Sequence, residues 1–309
     1  MEKAKTAKAA EDKEGDGFRS GFVAVVGRPN VGKSTLVNAL VGEKIAIVSR
    51  VPQTTRHRIA GVLNGPGFQV VLLDLPGFQK PRDLLTERMQ TAVNTTLREV
   101  DLILLMLNAQ EGIGAGDRYV SEASFATGTP VIIAINKTDL AGPETVLPLI
   151  AQAGELGAFE EIFPISARKQ WGLSELREAV VARLPAGPRY FPEEAVSDQP
   201  ERMLAAELIR EQALRLTREE VPHSIAVDVT GMQPSEQGGL IDLEAVIFVE
   251  RESQKGILIG KGGKMIKEIG SNSRAEIEKL LGSKVFMNLT VRVKKKWRQD
   301  ERMLGDLGL

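Results

Sequence analysis

Five short apolar runs, GFVAVVG (21–27), FQVVLLD (68–74), DLILLML (101–107), PVIIAIN (130–136) and EIFPIS (161–166), recur along the first half of this chain. Longer amphipathic segments separate them, near 33–42, 83–98, 116–126, 144–156 and 173–183. The runs are too apolar to face water on either side, as for strands of a mostly parallel sheet covered by helices on both faces. The alternation predicts a doubly wound α/β domain over residues 20–184.

The second half of the chain has another pattern. PAGPRYFPEEAVSDQP, residues 185–200, carries four prolines and reads as a linker. Beyond it the pattern predicts a helix over 201–220, strands at 224–230 and 240–250, two helices near 257–269 and 271–281, and a strand at 284–294. This αββααβ order makes a small α+β domain over 201–303, with a tail at 304–309. The first residues, 1–19, are charged without an apolar core and read as a disordered extension rather than a secretory signal. The longest apolar run is too short to span a bilayer, so a cytoplasmic protein is expected. The chain has no cysteine and only two histidines, His57 and His223, which removes disulfides, thiolate metal sites and cysteine nucleophiles.

GRPNVGKS, directly after the first run, fits GxxxxGK[ST] between a strand and a helix. Gly27, Arg28, Pro29, Asn30, Val31 and Gly32 can wrap a phosphate chain with backbone N–H groups turned inward, and the helix start through Thr35 adds partial positive charge. Lys33 is expected to reach the β- and γ-phosphates and Ser34 to ligate Mg²⁺. In NKTD, the Asp139 carboxylate can accept from N1–H and N2–H of guanine, which adenine does not offer. Lys137 would lie along the base, Asn136 would brace the loops, and Ser166-Ala167 would present the Ala167 N–H to the guanine oxygen. DLPG places Asp74 to hold Mg²⁺ through water and Gly77 to meet the γ-phosphate, with Leu75 and Pro76 between them. In QTTR (53–56), Thr54 or Thr55 would complete the metal shell, Thr55 being favoured.

Charge is unevenly spread in the second half: residues 200–250 hold 4 basic and 10 acidic side chains, whereas 251–298 hold 13 basic and 4 acidic. Within the basic stretch, Gly260-Lys261-Gly262-Gly263 joins two helix-like segments. A GxxG turn of this kind clamps single-stranded nucleic acid, with Lys261 and Lys264 on phosphates and Ile257 and Ile259 lining a groove for bases.

GxxxxGKS, Thr, DxxG, NKxD and SA in this order resemble the translation-factor-like GTPases. The resemblance implies in-line attack of water on the γ-phosphate, with Lys33, Thr55, Gly77 and Asn30 in catalytic roles and loops that order with GTP and relax with GDP. Many such proteins carry Gln after DLPG; here Phe78 stands there and cannot orient water. Related proteins with Asn at the position of Asn30 bind K⁺ beside the phosphates. With SDQPERMLAAELIREQALRLTREEVPHS and ERESQKGILIGKGGKMIKEIG added, residues 20–303 resemble the Era family, whose C-terminal domain is a type II KH domain. That implies a GTPase that uses GTP, GDP and Mg²⁺. It also implies binding near the 3′ end of 16S rRNA, action on the 30S ribosomal subunit, and loose peripheral association with the inner membrane. A monomer is expected. The competing reading is a constitutive RNA-binding adaptor with a structural nucleotide.

Overall fold

The computed structural model describes residues 17–78, 80–235 and 238–309. The described residues fall into two compact units. One holds the chain up to Ile45, then Arg58–Phe78 and Ala92–Asp198; the other holds Ala46–His57, Gln79–Thr91 and Gln199–Leu309. Most of the N-terminal extension lies outside the described residues.

The first unit contains β1 (Arg19–Gly27), α1 (Lys33–Val41), β2 (Ile59–Gly65), β3 (Phe68–Asp74), β4 (Leu102–Asn108), α3 (Ala115–Phe125), β5 (Val131–Asn136), α4 (Pro143–Ala153), β6 (Ile162–Pro164) and α5 (Leu173–Arg183). Helix α2 (Leu84–Thr96) contributes only its last turns here. The sheet order is β2-β3-β1-β4-β5-β6. All neighbours are parallel except β2 and β3. Every residue of β4 and β5 is buried, which is why those segments are continuously apolar. The chain leaves β1 in one direction for β3 and returns on its other side as β4, so the carboxyl end of β1 is a topological switch point where ligands bind. The expected α/β class is borne out.

Strand β2 is not among the elements that the apolar runs predict. Gly61 and Asn64 interrupt its apolar character. Gly61 is needed because a Cβ there would lie 2.5 Å from Ile45 Cδ1 and 2.9 Å from Val41 Cγ2. The proline-rich segment read as a linker lies hydrogen-bonded along this unit as far as Asp198. Ser20 Oγ donates to Pro188 O at 2.7 Å, Gln69 Nε2 to Phe191 O at 2.9 Å and Val62 N to Val196 O at 2.9 Å.

The second unit contains α6 (Glu201–Leu216), the short α7 (Val221–Ser224), β7 (Ala226–Pro234), β8 (Leu240–Val249), α8 (Glu252–Ile259), α9 (Lys264–Leu281), β9 (Lys284–Val293) and α10 (Glu301–Asp306). Strand β8 is central, antiparallel to β7 and parallel to β9. Ala205, Ile209, Ala213, Leu258, Ile269 and Ile277 from the helices share one core with Val229, Ile247 and Val249 from the strands. The predicted helix pair is shifted. The first helix stops at Ile259 because Gly260, Gly262 and Gly263 take φ of 71°, 61° and 75°. The break expected near residue 270 is absent, because α9 runs through Gly-Ser-Asn-Ser and Ser273 Oγ bonds back to Ile269 O at 2.8 Å.

Candidate functional site

At the end of β1 the chain turns through Gly27–Gly32 into α1. Gly32, at φ 107°, caps that helix without a side-chain hydrogen bond, and the first turn holds no acidic residue. The first backbone N–H groups of α1 are therefore not claimed by a side chain at the cap, and the helix start carries partial positive charge. A side chain on Gly32 would run into Asn136 Nδ2. The positive-φ requirement and this close approach together fix glycine at the position.

Lys33 is buried, with Nζ donating to Gly27 O at 3.2 Å and Arg28 O at 3.1 Å. Burial lowers its pKa to about 8, against the opposing pull of Asp74. The ammonium thus bridges the loop that it would later surrender to phosphate oxygens. Ser34 Oγ donates to Asp74 Oδ2 at 2.7 Å. A hydroxyl beside a carboxylate is a hard-oxygen donor pair of the kind Mg²⁺ takes, so the residues fit the ion. Among the described residues no group of three or more His, Cys, Asp or Glu side chains is arranged to hold a metal elsewhere.

The DLPG turn closes on the phosphate loop from β3. Leu75 is fully buried, and a Cβ on Gly77 would lie 2.9 Å from Pro29 Cγ. Phe78 N donates to Gly27 O at 3.4 Å, and its ring packs edge-on to Tyr119 at 5.5 Å in the core. Residue 78 is therefore a packing residue.

At the end of β5, Asn136 spans two loops. Its Nδ2 donates to Val31 O at 2.8 Å, and its Oδ1 accepts from Ala167 N at 2.9 Å. The bracing role expected of Asn136 matches this geometry. The Ala167 N–H, assigned to the base oxygen from sequence, is engaged by Asn136 instead, because a buried amide oxygen needs a donor. Ser166 Oγ donates to Asp139 Oδ1 at 2.6 Å, fixing one carboxylate oxygen. Lys137 sits at φ 67° between them.

The first unit thus brings together Gly27–Thr35, Asp74–Gly77, Asn136–Asp139 and Ser166–Ala167. Thr55 belongs to the second unit and is buried there. Sequence reasoning missed the ion pair that holds the phosphate loop from outside. Arg28 Nε lies 2.8 Å from the buried Asp117 carboxylate, which also accepts from Gly114 N at the start of α3. Asp117 three residues after Gly114, just before an apolar helix face, carried a capping signal but named no partner.

The second candidate site is the turn between α8 and α9. Lys261, Gly262 and Lys264 are exposed, Ile257 is 48 % exposed, and no Cβ on Gly262 or Gly263 would meet an atom within 4 Å. Ile259 is partly packed against the unit's own core, so Ile257 is the more available of the two for a groove.

A family model described as a 50S ribosome-binding GTPase matches residues 22–137, and one described as a KH domain matches residues 220–298. Proteins named GTPase Era from Heliobacterium modesticaldum and Geobacter metallireducens are 49 % and 50 % identical to this chain over 291 residues. That is 94 % of this chain and 97 % and 98 % of theirs. A crystal structure of Era in complex with MgGDPNP and nucleotides 1506–1542 of 16S ribosomal RNA has a TM-score of 0.92 at 42 % identity, covering 94 % of this chain and 99 % of that one. Aquifex aeolicus Era bound to GDP.AlF4⁻ gives 0.91 at 41 % identity, with the same coverage. Likeness at that level, over nearly the full length on both sides, means that the chain belongs to the Era family of GTPases.

Proposed function

We propose that this protein is a GTP-driven switch that binds single-stranded ribosomal RNA, at the 3′ region of 16S rRNA, and acts in assembly of the 30S subunit. The observation that carries the reading is the presence in one chain of two glycine-rich turns of different build. One, Gly27–Ser34, is enclosed and braced; the other, Gly260–Gly263, is exposed and flanked by Lys261 and Lys264. A relative has been captured with both MgGDPNP and nucleotides 1506–1542 of 16S ribosomal RNA, which supports a shared division of labour.

In this reading Lys33 exchanges its two carbonyl acceptors for β- and γ-phosphate oxygens. Gly27 O keeps the bond from Phe78 N at 3.4 Å, and the carbonyl of the half-buried Arg28 is left for water or ligand. Ser34 and Asp74 would hold Mg²⁺, which would neutralise charge on the phosphates. Asp139, steadied by Ser166, reads guanine. Phe78 lies in the core and orients no water, so hydrolysis depends on positioning from other groups. In this reading Asn30, exposed at φ 64°, would take up K⁺ and add positive charge beside the phosphates. Peripheral inner-membrane association belongs to the same family expectation; among the described residues no helix is long and apolar enough to cross a membrane.

Crosslinking in cells followed by sequencing of the attached RNA tests the reading. Enrichment of the 16S 3′ region is expected, lost in a Gly262→Asp variant. Enrichment of unrelated RNA, unchanged by that substitution, would overturn it.

A further inference from the structure

Arg28, the second residue of the phosphate loop, carries its side chain away to α3 and the loop before it. There Nε lies 2.8 Å from Asp117 Oδ2, and NH2 lies 3.3 Å from Glu111 Oε2. Both carboxylates are themselves fixed. Asp117 is 1 % exposed, and its Oδ2 also accepts from Gly114 N at 2.9 Å. Glu111 Oε1 accepts from Asn108 Nδ2 at 2.7 Å, and Asn108 is buried at the end of β4. Helix α3 is set into the core of the first unit by the fully buried Val120.

The helix makes room for the arginine. A Cβ on Gly116 would lie 2.5 Å from Arg28 Cδ and 3.2 Å from Arg28 Cγ, so the stem of Arg28 rests directly on the first turn of α3. Gly116 does not have a positive φ, so glycine there answers to this close approach and not to backbone conformation. Asp117 Oδ1 is buried without a hydrogen-bond partner, which leaves Arg28 as the charge that compensates this carboxylate. Losing the arginine would leave a buried charge alone, so the pair holds firmly. The backbone of Arg28 meanwhile serves the inside of the loop. Its carbonyl and that of Gly27 accept from Lys33 Nζ at 3.1 and 3.2 Å. The flanking residues are also confined: a Cβ on Gly27 would lie 2.7 Å from Met106 O, and Pro29 abuts Gly77. All of these residues lie in the first compact unit.

We infer that Asp117 is a positioning residue for nucleotide binding: acting through Arg28, it holds the Gly27–Pro29 backbone, and with it Lys33, in the shape that receives the phosphates before they arrive. The inference rests on the assignment of Gly27–Ser34 to the nucleotide. A tether of this kind lowers the cost of binding without adding a contact to the ligand. It therefore weighs equally on a diphosphate and a triphosphate. It also acts on association, because a loosened loop spends part of its time in shapes that do not bind, while the bound complex keeps its contacts.

The test measures association and dissociation rates of fluorescently labelled GDP and GDPNP, with Mg²⁺, for five full-length proteins. These are the wild type, Asp117→Asn, Gly116→Ala, the double variant Arg28→Met/Asp117→Asn, and Lys33→Ala. Asp117→Asn removes the charge but keeps an acceptor for Gly114 N, and the double variant leaves no buried charge alone. Gly116→Ala displaces the Arg28 stem while giving α3 a better helix former, so it loosens the tether without weakening the helix. In Asp117→Asn and in Gly116→Ala, association of both nucleotides is expected to slow about fivefold, with dissociation within about twofold of wild type. The double variant is expected to match Asp117→Asn within about twofold, because Asp117 acts through Arg28. Association within about twofold of wild type in both single variants overturns the inference. A loss confined to GDPNP, or carried by faster dissociation, overturns it too, since Arg28 would then serve the bound nucleotide directly. So does slower association found only in variants whose thermal midpoint falls by more than about 5 °C, the mark of a purely structural role. If Lys33→Ala leaves both affinities unchanged, the assignment of the loop itself fails. Weakened binding in Lys33→Ala with wild-type association in the other variants removes only the tether.

Discussion

The chain contains two glycine-rich turns that the proposed function assigns to phosphate, and they are built in opposite ways. GRPNVGKS is enclosed: Val31 and Lys33 are buried, Asn136 ties Val31 O, and Arg28 is anchored on Asp117. Its donors are preorganised around a small ligand that must be gripped on many sides. GKGG is open, with exposed Lys261 and Lys264 and empty space beyond Gly262. A polymer backbone can be laid against it and lifted away. The difference teaches that glycine content alone does not fix the ligand. In the proposed function enclosure suits a nucleotide, and an exposed turn flanked by Lys261 and Lys264 suits a strand.

Substitutions should affect the two turns separately. Lys33→Ala removes the buried ammonium that the proposed function places on the phosphates. Triphosphate affinity is expected to drop by about a hundredfold or more, while RNA binding by the nucleotide-free protein is retained; calorimetry with GTP and with RNA reads both. Loss of RNA binding in the nucleotide-free variant would mean that Lys33 supports more than the nucleotide site. Asp139→Asn comes next. GTP affinity should fall by about a hundredfold and xanthosine triphosphate should become the preferred ligand, because an amide donates where the guanine amino group donated. Retained guanine preference in competition binding would place base reading elsewhere.

On the open side, Gly262→Asp adds a like charge against the RNA backbone. Its Cβ meets nothing within 4 Å, and aspartate tolerates the φ of 61°, so the fold should hold. RNA affinity is expected to fall by about tenfold at every salt concentration, with GTP affinity unchanged. The smallest effect belongs to Lys261→Ala/Lys264→Ala, a several-fold loss with the salt slope of RNA binding reduced by about two. An unchanged slope would show that these lysines do not meet phosphates.

Much of this was legible in the sequence where the physics is local. The nucleotide loop, the NKTD and DLPG turns and the GxxG turn are contiguous, and their neighbours in the chain state their context. Strands β3, β4 and β5 advertise burial through unbroken apolar runs. Strand β2 was hidden because Gly61, Asn64 and a Gly-Pro-Gly turn read as loop, although that turn is what folds it back on β3. Glu207, Arg210 and Glu211 lie within the helix expected over 201–220, and nothing in their local spacing marks them as buried. Their burial depends on residues some 160 positions earlier, Val48 and Thr54, and no local pattern carries that information. The Arg28–Asp117 pair is another contact between separated segments, visible only once α3 is set beside the loop.

The proposed function requires that the nucleotide held at the enclosed turn change the RNA affinity of the open one. The direct measurement is the affinity of the full chain for a single-stranded RNA of the 16S 3′ region, made with GDP and with a non-hydrolysable GTP analogue in Mg²⁺ at fixed salt. Tighter binding with the analogue, by about fivefold or more, is the predicted result, within the usual range of coupling between two sites. Equal affinities in the two nucleotide states would contradict the account and leave a constitutive RNA-binding adaptor in its place.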